Sequence, residues 1–452
     1  LGKCWDGFAH HSLIREVGLM SEKRLVNIVL SEMIDRDFIL ETHHADRWTA
    51  VCDHGKTEVT LHSSEKNYTL TAYRQLSDDK IGKSTVSFLP TESEIGLKSL
   101  IKEVWSGAAL SSQPAFELVE PGNDYPKVLL DDDRARTNPQ ASVKAVVERA
   151  IAAVSSCSHL SLPSLEVNLT LSRRDLQNST GLQLTTTSSQ WIVYQIFLTK
   201  RAEGPFDQRL EMKRRLQTDL DLEGLAKACD EAEDGPRNSG LPPSGRVTLV
   251  LPGIYLPRFF SPLVHHACAE TQYRKMSRFK TGEEIGAFLG WLNLSLDATL
   301  DGGFSSYRFD DQGVPGQKVP IIDRGRFVKP WCKQELAKHL NCPPTGSPGN
   351  LHLKTPDQTK SPENLTEQFP LLLRVDEFSC LDVSPLSGHF SGEIRTGRLW
   401  QNGELQRIRG GAISGNVFKL LPHTHCCGDE TFYGDFLGPS SLIVENVSIA
   451  GQ

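Results

Sequence analysis

The chain has 452 residues, 38% hydrophobic and 23% charged, the make-up of an ordinary globular protein with room for two or three domains of about 150 residues each. Its formal net charge of -7 supplies no basic field to hold a phosphate backbone, and no apolar stretch approaches the roughly 20 residues of a membrane helix, so neither nucleic acid nor a membrane is expected as a partner.

In chain order, Ser21–Arg36 is predicted as an amphipathic helix with Leu25, Ile28, Val29 and Met33 on one stripe. Phe38–Thr42, Trp48–Cys52, Glu58–His62 and Tyr68–Arg74 are short runs of β-formers separated by polar or Gly-containing turns such as Asp53-His54-Gly55, the pattern of an antiparallel meander. Ser93–Trp105 and Ser142–Ser155 carry apolar residues at helical spacing and are expected to pack on that sheet. Leu165–Leu171 and Leu182–Thr199 read as strands, the second folded into a hairpin through Ser188–Gln190. Lys213-Arg214-Arg215 reads as a solvated basic patch, followed by a helix over Asp219–Ala232.

Asp234–Arg246 concentrates Gly, Pro and Ser, and a domain boundary is placed there. The predicted fold class is α+β: residues 1–238 form an antiparallel sheet with helices, and residues 239–452 a β-rich domain. Beyond the boundary, Val247–Leu251 is a buried-type strand and Phe259–Lys280 largely helical, while Cys342–Glu367 is expected to be an exposed loop. The ten cysteines are scattered without the spacing of a disulfide scaffold, and Leu1–Gly7 lacks a secretory pattern, which together favour free thiols in the cytoplasm.

His423, His425, Cys426 and Cys427 form the densest set of ligand-type side chains, able on a strand or loop to offer zinc three side chains. No fourth ligand can be named and the order matches no known zinc spacing, so a structural role is the reading taken. His266 and Glu270 lie one helical turn apart and read as a surface or interfacial pair. Asp310-Asp311-Gln312-Gly313 reads as a turn rather than an acid/base pair. Gly410, Gly411, Ser414 and Asn416 are candidates for a substrate channel, where a peptide backbone could approach and add as a strand.

Several unusual strings follow one another in a particular order: Gln177–Leu182 (QNSTGL), Leu220–Cys229 (LDLEGLAKAC), Val247–Gly253 (VTLVLPG), Phe309–Pro315 (FDDQGVP), Asn350–Leu353 (NLHL), Ser387–Gly392 (SGHFSG), Trp400–Glu404 (WQNGE) and Pro439–Gly451 (PSSLIVENVSIAG). From about Ser142 onward the chain thereby resembles the TldD/PmbA family, also called modulators of DNA gyrase. The resemblance implies an N-terminal α+β domain, a β-rich C-terminal domain enclosing a cavity, and a heterodimeric zinc peptidase in which a catalytic TldD-type subunit pairs with a TldE/PmbA-type subunit.

A TldD-type subunit carries His-Glu-x-x-x-His on a helix soon after a strand ending in Pro-Gly, two imidazoles for zinc and a carboxylate to activate water. After Pro252-Gly253, a count without gaps puts Phe260 and Ser261 where the first His and the Glu would fall and leaves only His265. A further Cys ligand of the TldD type would correspond to Cys426 or Cys427, whose flanking residues do not match. Phe390–Glu404 also resembles the TldE branch. The resemblance therefore implies a TldE-like chain with no catalytic residue and no cofactor of its own, beside a zinc-binding TldD-like partner. Its substrate would be a peptide or peptide-linked intermediate, including one of a specialised biosynthetic pathway. The alternatives are an autonomous metal-dependent hydrolase using the C-terminal His/Cys cluster and a regulatory protein-binding module.

Overall fold

The computed structural model describes residues 20–199, 207–233, 239–286, 289–356 and 368–451. The opening Leu1–Gly7 with Cys4, residues 234–238 of the predicted boundary and residues 357–367 of the predicted loop lie outside them.

The first part contains α1 (Glu22–Glu32), β1 (Asp37–Asp53), β2 (Lys56–Ser77), β3 (Lys80–Phe88), α2 (Glu94–Gly107), β4 (Gln113–Pro114), α3 (Asp133–Thr137), α4 (Pro139–Ser155), β5 (Leu160–Asn178), β6 (Gln183–Thr199), β7 (Asp207–Arg214) and α5 (Leu222–Glu233). Local chemistry starts the helices: Ser21, Ser93 and Asn138, none of them helical, accept the backbone N–H three residues on. All strand pairs are antiparallel in the order β4-β3-β2-β1-β5-β6-β7. One face is covered by helices. Leu25, Val29, Leu97 and Ile101 pack on Leu40, Tyr68 and Leu70, and Val143, Val147 and Ala150 on Leu165, Val167 and Trp191.

The strands depart from the expected boundaries in two places. The four short segments before residue 75 are parts of two long strands, β1 and β2, with a turn at His54-Gly55, where both residues have positive φ. His43–Arg47 and Ser63–Asn67 are paired strand; their polarity reflects a sheet face left partly open, which interrupts no ladder bond. Likewise β6 runs unbroken through Ser188–Gln190. The reversal lies earlier, where Asn178 Oδ1 accepts from the Thr180 and Leu182 N–H groups and Gly181 takes φ +91°.

The second part contains β8 (Ser239–Gly240), β9 (Gly245–Pro252), α6 (Leu256–His266), α7 (Ala269–Tyr273), β10 (Leu294–Asp297), β11 (Lys318–Asp323), β12 (Arg326–Phe327), α8 (Gln334–Ala337), β13 (Asn350–Leu353), β14 (Leu371–Val383), β15 (His389–Gln401), β16 (Glu404–Ile408), β17 (Ala412–Asn416), α9 (Val417–Leu420), β18 (Thr424–Tyr433) and β19 (Phe436–Ala450). Pairing runs β9 to β14, β15, β17, β19 and back to β9, a closed barrel. Val247, Leu249, Leu251, Leu373, Val375, Ile394, Ile413, Leu442 and Val444 share one core with Leu256, Phe260 and Leu263 of α6.

The α+β class holds, with a β-rich second part. The helix expected over Phe259–Lys280 is two short ones, α6 and α7. The Cys342–Glu367 loop contains β13, pinned because buried Asn350 donates to Asp297 O and Ser306 Oγ (both 2.8 Å) and accepts from Ser305 N–H. Four residues amid Pro and Gly carry too little period to announce a strand.

Candidate functional site

The corner after β9 is where the zinc motif would stand. Gly253 has no room for a side chain, because a Cβ there would collide with the Tyr433 ring. Further along, in α6, Phe260 is 0% exposed, edge-on to Phe259 at 5.3 Å, and Phe259 in turn packs on Phe390. Ser261 donates its hydroxyl to Arg258 O at 2.7 Å. His265 is half-buried with its ring against His266. These residues do not fit a zinc site: an aromatic ring embedded in the barrel core and a hydroxyl bonded to its own helix supply neither ligand nor base.

His266 is buried, with Nε2 2.8 Å from Leu386 O and Nδ1 accepting the Arg278 N–H at 3.1 Å, which makes it neutral with its proton on Nε2. Burial lowers its pKa. A histidine with a depressed folded pKa contributes stability that is present above its unfolded value, about 6.5, and is lost as pH falls from there through the lower folded pKa. His43 and His352 are shifted the same way by burial. The difference between wild type and His266→Asn therefore isolates the contribution of α6. Denaturant midpoints should fall from about pH 7.5 to about pH 5.5 in wild type, and less steeply in the variant.

The C-terminal His/Cys set does not converge. His423 is exposed at the end of a short 3-10 turn, and His425 Nε2 contacts Glu445 Oε1 at 3.0 Å. Neighbouring residues on a strand face opposite ways. Cys426 accordingly joins the barrel core, and Cys427 packs outside with Val250, Leu372 and Ile443. Burial pushes the Cys426 thiol up to about 12, away from the thiolate that zinc requires. Among the described residues, no three His, Cys, Asp or Glu side chains are grouped to hold a metal.

The predicted channel residues close the barrel instead. Ala412, Ile413 and Ser414 pair with Glu393, Gly392 and Ser391 on one side and with Ala450, Ile449 and Ser448 on the other. Both edges are taken, so no peptide strand can add to this stretch. Gly410 and Gly411 make the positive-φ entry to β17, and the Asn416 amide donates to Ser387 O while its Oδ1 accepts from Lys419 N–H at the start of α9. Asp310–Gly313 is the expected turn, with Gly313 at φ +86° and Asp310 Oδ1 accepting from Gln312 and Val314 N–H.

The open volume lies elsewhere, in a groove of about 540 Å³ on the first sheet's helix-free face, walled by Ser306, Tyr307 and Phe309 from the second part. Its floor is a stack of cross-strand rungs from β1, β5 and β6: His43, Arg174 and Thr186, then Ala45, Ser172 and Ser188, then Arg47, Thr170 and Gln190. Arg174 is tied to Glu41 at 2.6 Å and to Phe309 O at 3.2 Å. Arg215, expected to be solvated, is 5% exposed and donates to Gly303 O, Ser189 O and Ser306 O at 3.1 to 3.2 Å. Burial lowers its pKa to about 10, which leaves it charged near neutral pH. The groove was missed by sequence reasoning. One signal for it exists: Glu166, Asn168, Thr170, Ser172 and Arg174 alternate with Val167, Leu169 and Leu171, the period of a strand with one polar face.

Residues 244–451 match the family model of the PmbA/TldA metallopeptidase C-terminal domain. A metalloprotease of Methanocaldococcus jannaschii is 27% identical over 197 residues, 40% of this chain and 42% of that protein. One of Synechocystis sp. is 30% identical over 152 residues, 31% and 32% of the two chains. Metalloprotease PmbA of Escherichia coli O157:H7 is 25% identical over 197 residues, 43% of each. The chain thus spans less than half the length of each of these curated relatives. Among solved structures, TldE from Thermococcus kodakarensis has a TM-score of 0.76 at 17% identity, covering 95% of this chain and 99% of that one. A Thermotoga maritima protein named as a modulator of a DNA gyrase has a TM-score of 0.78 at 18% identity, covering 95% and 100%. At such identities the likeness is one of fold.

Proposed function

Because the chain belongs to the TldD/PmbA family, we propose that it is the TldE-like subunit of a peptide-cleaving metalloprotease, pairing with a TldD-like partner that carries the zinc. The observation that supports this reading is the pair Phe260 and Ser261, which stand where the motif's histidine and glutamate would fall, the first sealed in the barrel core. The chain's own contribution would be a rigid barrel and a polar groove against which a peptide is held. A reducing compartment such as the cytoplasm suits its cysteines, since the nine that are described are all free thiols. Among the described residues no helix is long and apolar enough to cross a membrane.

The test is zinc content and cleavage of an unstructured peptide by the purified chain, alone and co-expressed with a homologue bearing His-Glu-x-x-x-His. The expected result is no zinc and no cleavage for the chain alone, and both in the complex. Near-stoichiometric zinc in the isolated chain, lost on replacing Cys426 and Cys427, would overturn the proposal in favour of an autonomous metal enzyme.

A further inference from the structure

We propose that the groove on the first sheet binds a carboxylate of a peptide, held between Arg47 and Arg215. The inference deepens the proposed function, since it presumes that the chain handles peptides. Its geometry comes from the strand register. Arg47 pairs with Thr170, and Thr170 with Gln190. Arg215 follows Arg214, the partner of Trp191, and its guanidinium reaches Ser189 O, which sets it beside Gln190. The rung therefore has an arginine at each end and a hydroxyl and an amide between, all bordering one open volume.

Charge in this rung is unbalanced. The carboxylate that acts on Arg215 is that of Asp131, which Arg136 already grips with two hydrogen bonds, at 2.6 and 2.9 Å. Arg174, one wall of the same groove, is neutralised by Glu41. Neither Arg47 nor Arg215 has an ion-pair partner among the described residues, and the Thr170 and Gln190 side chains have no hydrogen-bond partner there. The three carbonyls bound by Arg215 use only part of its donor set, so N–H groups remain to be satisfied. Burying a cation costs less when an anion completes it, and a guanidinium fork matches the two oxygens of a carboxylate.

The rest of the groove favours a peptide as carrier of that carboxylate. Glu166 lies two rungs from Thr170 and accepts from Asn168 at 2.7 Å, and Glu65 pairs with Ala45 in the adjacent rung. These acids repel a polyanion, while the hydroxyls and amides between them suit peptide groups. The carboxylate can come from a chain terminus or from an acidic side chain.

Short fluorescent peptides, uncharged except for a free C-terminal carboxylate, for one internal Glu with an amidated end, or for neither, separate these sources by anisotropy on the full chain. One or both carboxylate peptides should bind about tenfold or more tightly than the neutral one, with affinity falling as salt rises. Arg47→Ala, at an exposed side chain without a partner, should reduce all of them to the neutral peptide's level. Equal binding of charged and neutral peptides, unchanged affinity in Arg47→Ala, or no measurable binding of either carboxylate peptide overturns the proposal. No zinc or cleavage enters this measurement, so its failure leaves the TldE-like reading standing, and failure of that reading appears separately as zinc in the isolated chain.

Discussion

Writing the missing zinc motif into α6, with Phe260→His and Ser261→Glu together, should lower the unfolding free energy by about 3 kcal/mol or more and still leave the chain without stoichiometric zinc. The stability loss follows from burial. Phe260 is 0% exposed within the barrel core, so a smaller ring leaves a cavity, and its nitrogens enter a wall of Phe and Leu without partners. Zinc fails for a separate reason, because at least three protein ligands must converge, and beyond His265 the nearest imidazole, His266, has both nitrogens occupied. Denaturant unfolding and metal analysis of the double variant check the two halves independently. A stable variant binding one zinc would mean that α6 is a metal site lacking only its side chains, and would weaken the partner-subunit reading.

Trp191→Ala should cost about 4 kcal/mol, within the range for removing a large buried aromatic. Trp191 is 0% exposed in the core between the first sheet and α4, and its ring N–H donates to Asp132 Oδ2 at 3.2 Å. Asp132 also accepts from Ala135 N–H at the start of α3 and from Gln217 N–H beyond β7, so one carboxylate ties three segments together. Trp191→Phe keeps most of the packing and loses one hydrogen bond, for an expected cost nearer 1 kcal/mol. Urea unfolding of both variants separates the contributions; equal losses would show that the hydrogen bond, and not the ring, carries the effect. Because Gln190 and Trp191 face opposite sides of β6, Trp191→Phe should leave peptide binding in the groove unchanged.

Much of the helical layer was legible in advance. Ser21 and Ser93 cap helices whose apolar stripes pack where their spacing placed them, whereas α4 begins at Pro139 behind an Asn138 cap, three residues before the expected Ser142. That no His-Glu pair stands in Ile254–Thr271, after Pro252-Gly253, is read directly from the residues. Strand boundaries fared worse. His43–Arg47 looked like a turn because polarity was taken as interruption, yet in an open-faced sheet polar residues continue the ladder. The stretch Gly410–Asn416 looked free for a substrate, since nothing local announces that β15 and β19 would occupy both its edges.

The sequence by itself determined the α+β class, the starts of α1 and α2, the turns at His54-Gly55 and Asp310–Gly313, and which residues follow Pro252-Gly253. Each of these depends on residues a few positions apart, through caps, periodicity and backbone preference. Only the tertiary structure decided that the barrel closes through β17, that Cys426 and Cys427 point to opposite sides of its wall, and that Arg215 is buried at one end of a rung begun by Arg47. These outcomes depend on which distant strands become neighbours and in what register, and a one-residue slip in that register would send every side chain of the groove to the helix-covered face.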